Sequence, residues 1–299
     1  MWISTPRAAN ASTTSDGCEA LKLVYFGTPA AAVPPLEALV AAGHEIALVV
    51  TQPDRRRGRG GGLIESPVKI AAGALGLPVA MPEKAREIVD DVRALNADLG
   101  VVVAFGQMLP AALLDAISGG LVNVHFSLLP CWRGAAPVER AILAGDVETG
   151  VCIMGVELSL DTGPVFAQES VTIDDDETAG ELHARLVALG TRLLVATLPK
   201  VPTATPVPQS GEANYASKLT VEEFELDLGR PTSELLLIVR AGNPRPGAWW
   251  RGADDARLKV WRAHDEDGRF VPDEVQPAGK ARMTYTAWRA GHRGSDPFA

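Results

Sequence analysis

Five short apolar runs punctuate residues 21–126, and each is followed by a glycine, a proline or a helix-length amphipathic stretch. A chain built this way alternates strands with helices and lays its strands side by side in parallel. LKLVYFG ends at Gly27, and a Thr-Pro start leads into the helical pattern AAAVPPLEALVAAG. EIALVVT (45–51) precedes a Gly/Arg-rich loop and then SPVKIAAGALG (66–76), where Ser66 can cap a helix and Pro67 falls just inside it. LPVAMP (77–82), LGVVVAFG (99–106) and LVNVHF (121–126) read as further strands, and EKAREIVDDVRALN (83–96) as an amphipathic helix. Continuous rather than alternating apolar runs are buried on both faces. The expected fold is therefore α/β, with a Rossmann-like, mostly parallel sheet and helices on both faces.

Beyond residue 126 the pattern changes. APVERAILAG (136–145) reads as a helix, and GVCIMGVELSL (150–160) with GPVFAQESVTI (163–173) as an antiparallel pair or extension. TAGELHARLVALGTRLLVATL (178–198), the longest helical pattern, closes a first domain spanning 21–198. PKVPTATPVPQSGEAN (199–214) has four prolines and the composition of an extended linker. Residues 215–299, with expected strands at LLLIVRAG, GAWWRG and RLKVWRA, form a smaller C-terminal OB-like β-barrel in this reading. Residues 1–20, rich in Ala, Ser and Thr, read as a flexible tail.

A length of 299 residues, 46% of them hydrophobic and 22% charged, suits two packed cores. No uncharged apolar run reaches the roughly 18 residues a membrane helix needs. Cys18, Cys131 and Cys152 have no CxxC spacing, which fits a reducing compartment and a cytoplasmic location; a monomer away from membranes is expected as well. The five histidines never pair at metal-ligand spacing, and no metal is expected.

The candidate chemistry sits in GLVNVHFSLLPCWRGAAP (119–136). Residues two apart on a strand share a face, so Asn123 and His125 point the same way at a strand end, where open parallel sheets bind ligands. Together they can donate two hydrogen bonds to one developing oxyanion, provided the imidazole is protonated. Asp161, before the turn in SLDTGP, is the candidate carboxylate to keep it so. On spacing alone the same residues also read as an ordinary strand-end histidine and an ordinary turn aspartate. Ser127 has no GxSxG elbow around it, and FGTP lacks the three-glycine spacing of a dinucleotide fingerprint.

NVHFSLLPCWRGAAP, followed by AGDVETGV and LDTGP, closely resembles the formyltransferases that use 10-formyltetrahydrofolate, and among them the methionyl-tRNA formyltransferases. The resemblance continues through FGTP (26–29), TQPD (51–54), GRG…SPVK (58–69), VVVAFGQMLP (101–110) and QPAGKARM (276–283), nearly the whole chain after the tail. It implies that Asn123, His125 and Asp161 are catalytic, that Ser127, Leu128, Leu129 and Pro130 bind the folate, and that the donor is 10-formyltetrahydrofolate. The acceptor it implies is the α-amino group of methionine on initiator tRNA; an amino-sugar acceptor is the alternative. Phe126 and Cys131 replace the glycine and arginine of the most familiar form of the motif. Phe126, pointing away from the face of Asn123 and His125, is expected to be tolerated, and the Cys131 thiol to be inert.

The loop RRRGRGGGLIESPVK (55–69) holds Arg55, Arg56, Arg57, Arg59 and Lys69 against one acid, Glu65, a local +4 in a chain of net charge −9. With Gly58, Gly60, Gly61 and Gly62 it is a cationic loop suited to a phosphate backbone, and it is equally readable as a solvated loop. The resemblance assigns it to tRNA. Arg240, Arg245, Arg251, Arg257, Lys259 and Arg262 lie among Trp249, Trp250 and Trp261, a composition that fits a nucleic-acid face. The tryptophans themselves read more readily as core.

Overall fold

A computed structural model describes residues 20–57, 62–252, 256–292 and 296–298; for Arg56, Arg57 and Gly62 only the backbone is described. All of the expected tail except Ala20 lies outside these residues.

The alternation read from the sequence is present. Strand β1 (Lys22–Gly27) leads to helix α1 (Val33–Ala41), with Pro34 in its first turn, and then to β2 (Glu45–Val50). A short hairpin of β3 (Arg55–Arg57) and β4 (Gly62–Ile64) precedes α2 (Pro67–Ala74). Ser66 caps α2, its hydroxyl accepting the Lys69 N–H at 3.1 Å. After β5 (Val79–Ala80), the helix expected over 83–96 is a 3-10 turn, Ala85–Ile88, followed by α3 (Val89–Ala94). Then come β6 (Leu99–Val103), α4 (Ala111–Leu114), β7 (Leu121–His125), β8 (Arg133–Gly134) and α5 (Pro137–Ala144), which ends at left-handed Gly145. The chain continues through β9 (Glu148–Gly155), β10 (Val165–Thr172) and α6 (Ala179–Thr197).

Seven of these strands form one sheet in the order β10-β9-β7-β6-β1-β2-β5. The run from β5 to β7 is parallel, and β9 pairs antiparallel with β7. Helices cover both faces, as β1 demonstrates residue by residue. Val24 and Phe26 pack with Ile88, Val92 and Leu113 of the α3 and α4 side. Tyr25 points the other way and donates its hydroxyl to the Ala32 carbonyl at the start of α1, at 2.5 Å. No helix among the described residues is long and apolar enough to cross a membrane.

The remaining elements are β11 (Tyr215–Ala216), α7 (Thr232–Gly242), β12 (Ala248–Arg251), β13 (Arg257–Glu266), β14 (Arg269–Pro277), β15 (Met283–Thr284) and α8 (Tyr285–Gly291). Strands β12 to β15 make a separate four-stranded antiparallel sheet, the small β-rich unit expected at the C-terminus. One expectation is corrected. LLLIVRAG is not a strand but most of α7. Its buried Leu235, Ile238, Val239 and Gly242 recur at spacings of three, four and seven, a helical stripe that a short apolar run conceals. Trp249 and Trp261 are core, and Trp249 donates its indole N–H to the Val221 carbonyl at 3.0 Å.

The described chain divides into two compact units that interleave in sequence. The first runs to His125 and adds Cys152–Gln168 and Val187–Gln209; the second holds Phe126–Val151, Glu169–Leu186 and the residues from Ser210 onward.

Candidate active site

Strand β7 runs between β6 and β9, with Asn123 in register with Val102 and Met154, and His125 with Cys152. The pleat brings both polar residues out on one face at the strand's carboxyl end. Past β9 the chain turns through Leu158–Thr162, with Leu158 and Leu160 exposed. Asp161 takes a left-handed backbone, φ 52°. Aspartate visits that region more readily than most residues, because its short polar side chain can satisfy local backbone groups. The result is a carboxylate Oδ2 3.7 Å from His125 Nδ1, with the histidine side chain 5% and the aspartate 14% exposed. At that distance and burial the carboxylate is placed to orient the imidazole ring. The expected turn residue and the expected strand-end histidine are thus brought together, 36 positions apart, in one unit.

Gly163 of LDTGP is required by close approach. A Cβ there would lie 1.8 Å from the Gly155 carbonyl oxygen, backbone against backbone. Two other motifs brace the carboxyl end of the parallel strands. The Thr28 hydroxyl of FGTP and the Gln52 amide of TQPD both donate to the Phe105 carbonyl, at 3.1 and 2.9 Å. FGTP and TQPD therefore hold the loop after β6 in place beside the crevice between β1 and β6, where the strand order reverses. Sequence reasoning matched these motifs without finding that role, since neither has a local signal for a partner some 50 to 80 residues away.

The Ser127–Pro130 loop belongs to the second unit. Ser127 is fully buried and its hydroxyl donates to the Cys131 carbonyl at 2.6 Å, while the Cys131 N–H bonds the Leu128 carbonyl at 3.0 Å. Ser127 thus shapes the loop, in which Leu128 and Pro130 are half-buried and Leu129 is buried. Phe126 packs edge-on against His183, ring centres 5.3 Å apart. Burial pushes the His183 imidazole below its ordinary value, with Glu139 opposing.

Of the cationic loop, Arg59 and the side chains of Arg56 and Arg57 lie outside the described residues. Arg55 is exposed and bonds the Gln52 amide oxygen at 2.5 Å. Lys69 is committed to Asp54 at 2.5 Å and Glu65 at 2.8 Å, and those hydrogen bonds, Asp54 first, raise its ammonium above the usual lysine value. Among the described residues no group of three or more His, Cys, Asp or Glu is placed to hold a metal ion.

Residues 21–198 match the family model described as "Formyl transferase". The methionyl-tRNA formyltransferase of Roseobacter denitrificans is 48% identical over 259 residues, covering 86% of this chain and 85% of that protein. That of Dinoroseobacter shibae is 46% identical over 286 residues, covering 92% and 95%. Among solved structures, a 4-N formyltransferase from Francisella tularensis superposes with a TM-score of 0.64 at 17% identity, covering 80% of this chain and 96% of that one, a likeness of fold alone.

Proposed function

The chain belongs to the formyl transferase family, and we propose that it moves the formyl group of 10-formyltetrahydrofolate onto the α-amino group of methionine carried by initiator tRNA. The observation that carries the mechanism is the pairing of His125 with Asp161 on the strand face that also bears Asn123. The folate supplies the formyl carbon. As the neutral amine attacks that carbon, Asn123 and protonated His125 donate hydrogen bonds to the oxygen that gains negative charge. With Nδ1 turned toward Asp161, Nε2 is the imidazole nitrogen that donates. A new C–N bond forms, the bond from the formyl carbon to the folate nitrogen breaks, and the proton lost by the amine passes to the departing nitrogen through His125 or a water held by Asp161.

The acceptor is assigned from three supports: near-full-length relatives named for methionyl-tRNA, the arginine-rich hairpin, and a C-terminal unit whose surface arginines flank Trp249. In this reading residues 21–198 carry catalysis, 199–214 connect, and 215–299 help hold tRNA, in a cytoplasmic monomer. The test is formyl transfer from 10-formyltetrahydrofolate to charged initiator tRNA at two salt concentrations. Salt-sensitive transfer is expected; a folded protein that uses the folate but leaves tRNA unmodified sinks the acceptor assignment in favour of an amino sugar.

A further inference from the structure

We propose that Gln209 is a positioning residue for the transfer: its amide fixes the backbone that presents Asp161 to His125. The inference rests on the role assigned to Asp161 above.

The segment containing Gln209 has the composition of a spacer, yet it is tied to the SLDTGP loop and to the start of β10 just after it. Val207 exchanges two backbone hydrogen bonds with Val165, at 2.7 and 2.8 Å. Two residues on, Gln209 Nε2 donates to the Asp161 carbonyl at 2.9 Å and to the Gly163 carbonyl at 2.8 Å. A carboxamide nitrogen carries two hydrogens, and here they go to the two carbonyls flanking Thr162.

Asp161 needs that support. A left-handed backbone at a residue other than glycine persists where its surroundings over-determine it. The loop contributes some of this itself, through the Thr162 hydroxyl on the Ser159 carbonyl at 3.3 Å and the press of Gly163 on Gly155. Gln209 adds a hold from 48 residues away, directly on the carbonyl of the strained residue. Releasing it lets Asp161 relax toward negative φ, which swings its Cα–Cβ bond and removes the carboxylate from His125. Gln209 acts through Asp161 and is not itself a catalytic residue.

The experiment compares wild type, Gln209→Met, Asp161→Asn and the double variant. Gln209→Met keeps the side chain's length and removes its donors; Gln209→Glu serves the same purpose if the methionine variant does not fold. Formyl transfer is read as kcat and KM for both substrates, and hydrogen exchange is followed over residues 158–164. Gln209→Met is expected to lower kcat by about 10- to 100-fold, the range seen when a supporting contact behind a reacting group is lost, with KM little changed and exchange in the loop accelerated. On the Asp161→Asn background it should cost less than about twofold, because two changes acting through one group do not add. A merely structural role predicts additive losses. Unchanged kcat, additive losses or unchanged exchange would each overturn the proposal. Full activity in Asp161→Asn with accelerated exchange in Gln209→Met would instead remove Asp161 from the mechanism and leave the brace standing.

Discussion

His125 Nδ1 and Asp161 Oδ2 stand 3.7 Å apart, on the end of one strand and in the turn beyond another, each largely withdrawn from water. A carboxylate so placed can hold the imidazole in the orientation the proposed transfer requires. Asp161→Asn keeps the shape and removes the charge. It is expected to lower kcat by about 10²- to 10³-fold with an unchanged circular dichroism spectrum; a variant at full rate removes the carboxylate from the mechanism.

Gly163→Ala places a methyl 1.8 Å from the Gly155 carbonyl oxygen, where only backbone can yield. The expected cost is about 1–3 kcal/mol, the usual range for overpacking, together with loss of activity as the loop bearing Asp161 is displaced. Thermal unfolding and a transfer assay on one preparation check both; unchanged values in both would mean the loop accommodates the methyl.

The start of α6 is a capping box. The Thr178 hydroxyl receives the Glu181 N–H at 3.4 Å, and the Glu181 carboxylate accepts the Thr178 N–H at 2.9 Å and its hydroxyl at 2.6 Å. These bonds, and Arg262 after them, hold the Glu181 carboxyl below its ordinary value. A depressed folded value means the contribution is complete above the unfolded value of about 4.3 and is lost as pH falls through the folded one. Urea unfolding between about pH 6 and 3 should therefore show a steeper acid loss in wild type than in Glu181→Gln. Thr178→Ala should cost about 1 kcal/mol at neutral pH.

Arg55 and Lys69 should respond differently to removal. Arg55→Ala is expected to reduce the slope of log affinity for tRNA against log salt by about 1, one phosphate contact. Lys69→Ala should change that slope less, because two carboxylates already answer its charge, and should lower Tm more. Asp54 Oδ1 is buried with no partner among the described residues, and losing Lys69 leaves Oδ2 without its ammonium as well. Equal slopes for the two variants would contradict this division of roles.

Much of the fold was legible because its signals are local. The apolar runs became strands, Ser66 capped α2, and the two-residue period placed Asn123 and His125 on one face. LLLIVRAG misled because an apolar run shorter than three helical turns has no unambiguous period, and tertiary packing of α7 decided it. The arginine-rich loop read as open chain, yet its described flanks pair as β3 and β4, a choice that depends on register rather than composition.

By itself, then, the sequence determined the alternation of strands and helices, the strand that carries Asn123 and His125 on one face, and the turn character of Asp161. Each follows from periodicity or conformational preference within about ten neighbouring residues. Only the tertiary structure decided that Asp161 meets His125, that Lys69 is spent on Asp54 and Glu65, and that a glutamine in a proline-rich spacer grips the loop carrying the carboxylate. The partners in the first and last of these pairs lie 36 and 48 residues apart, and Lys69 meets Asp54 across the arginine-rich loop. Such meetings are set by how the packed elements close on one another, which no stretch of sequence specifies alone.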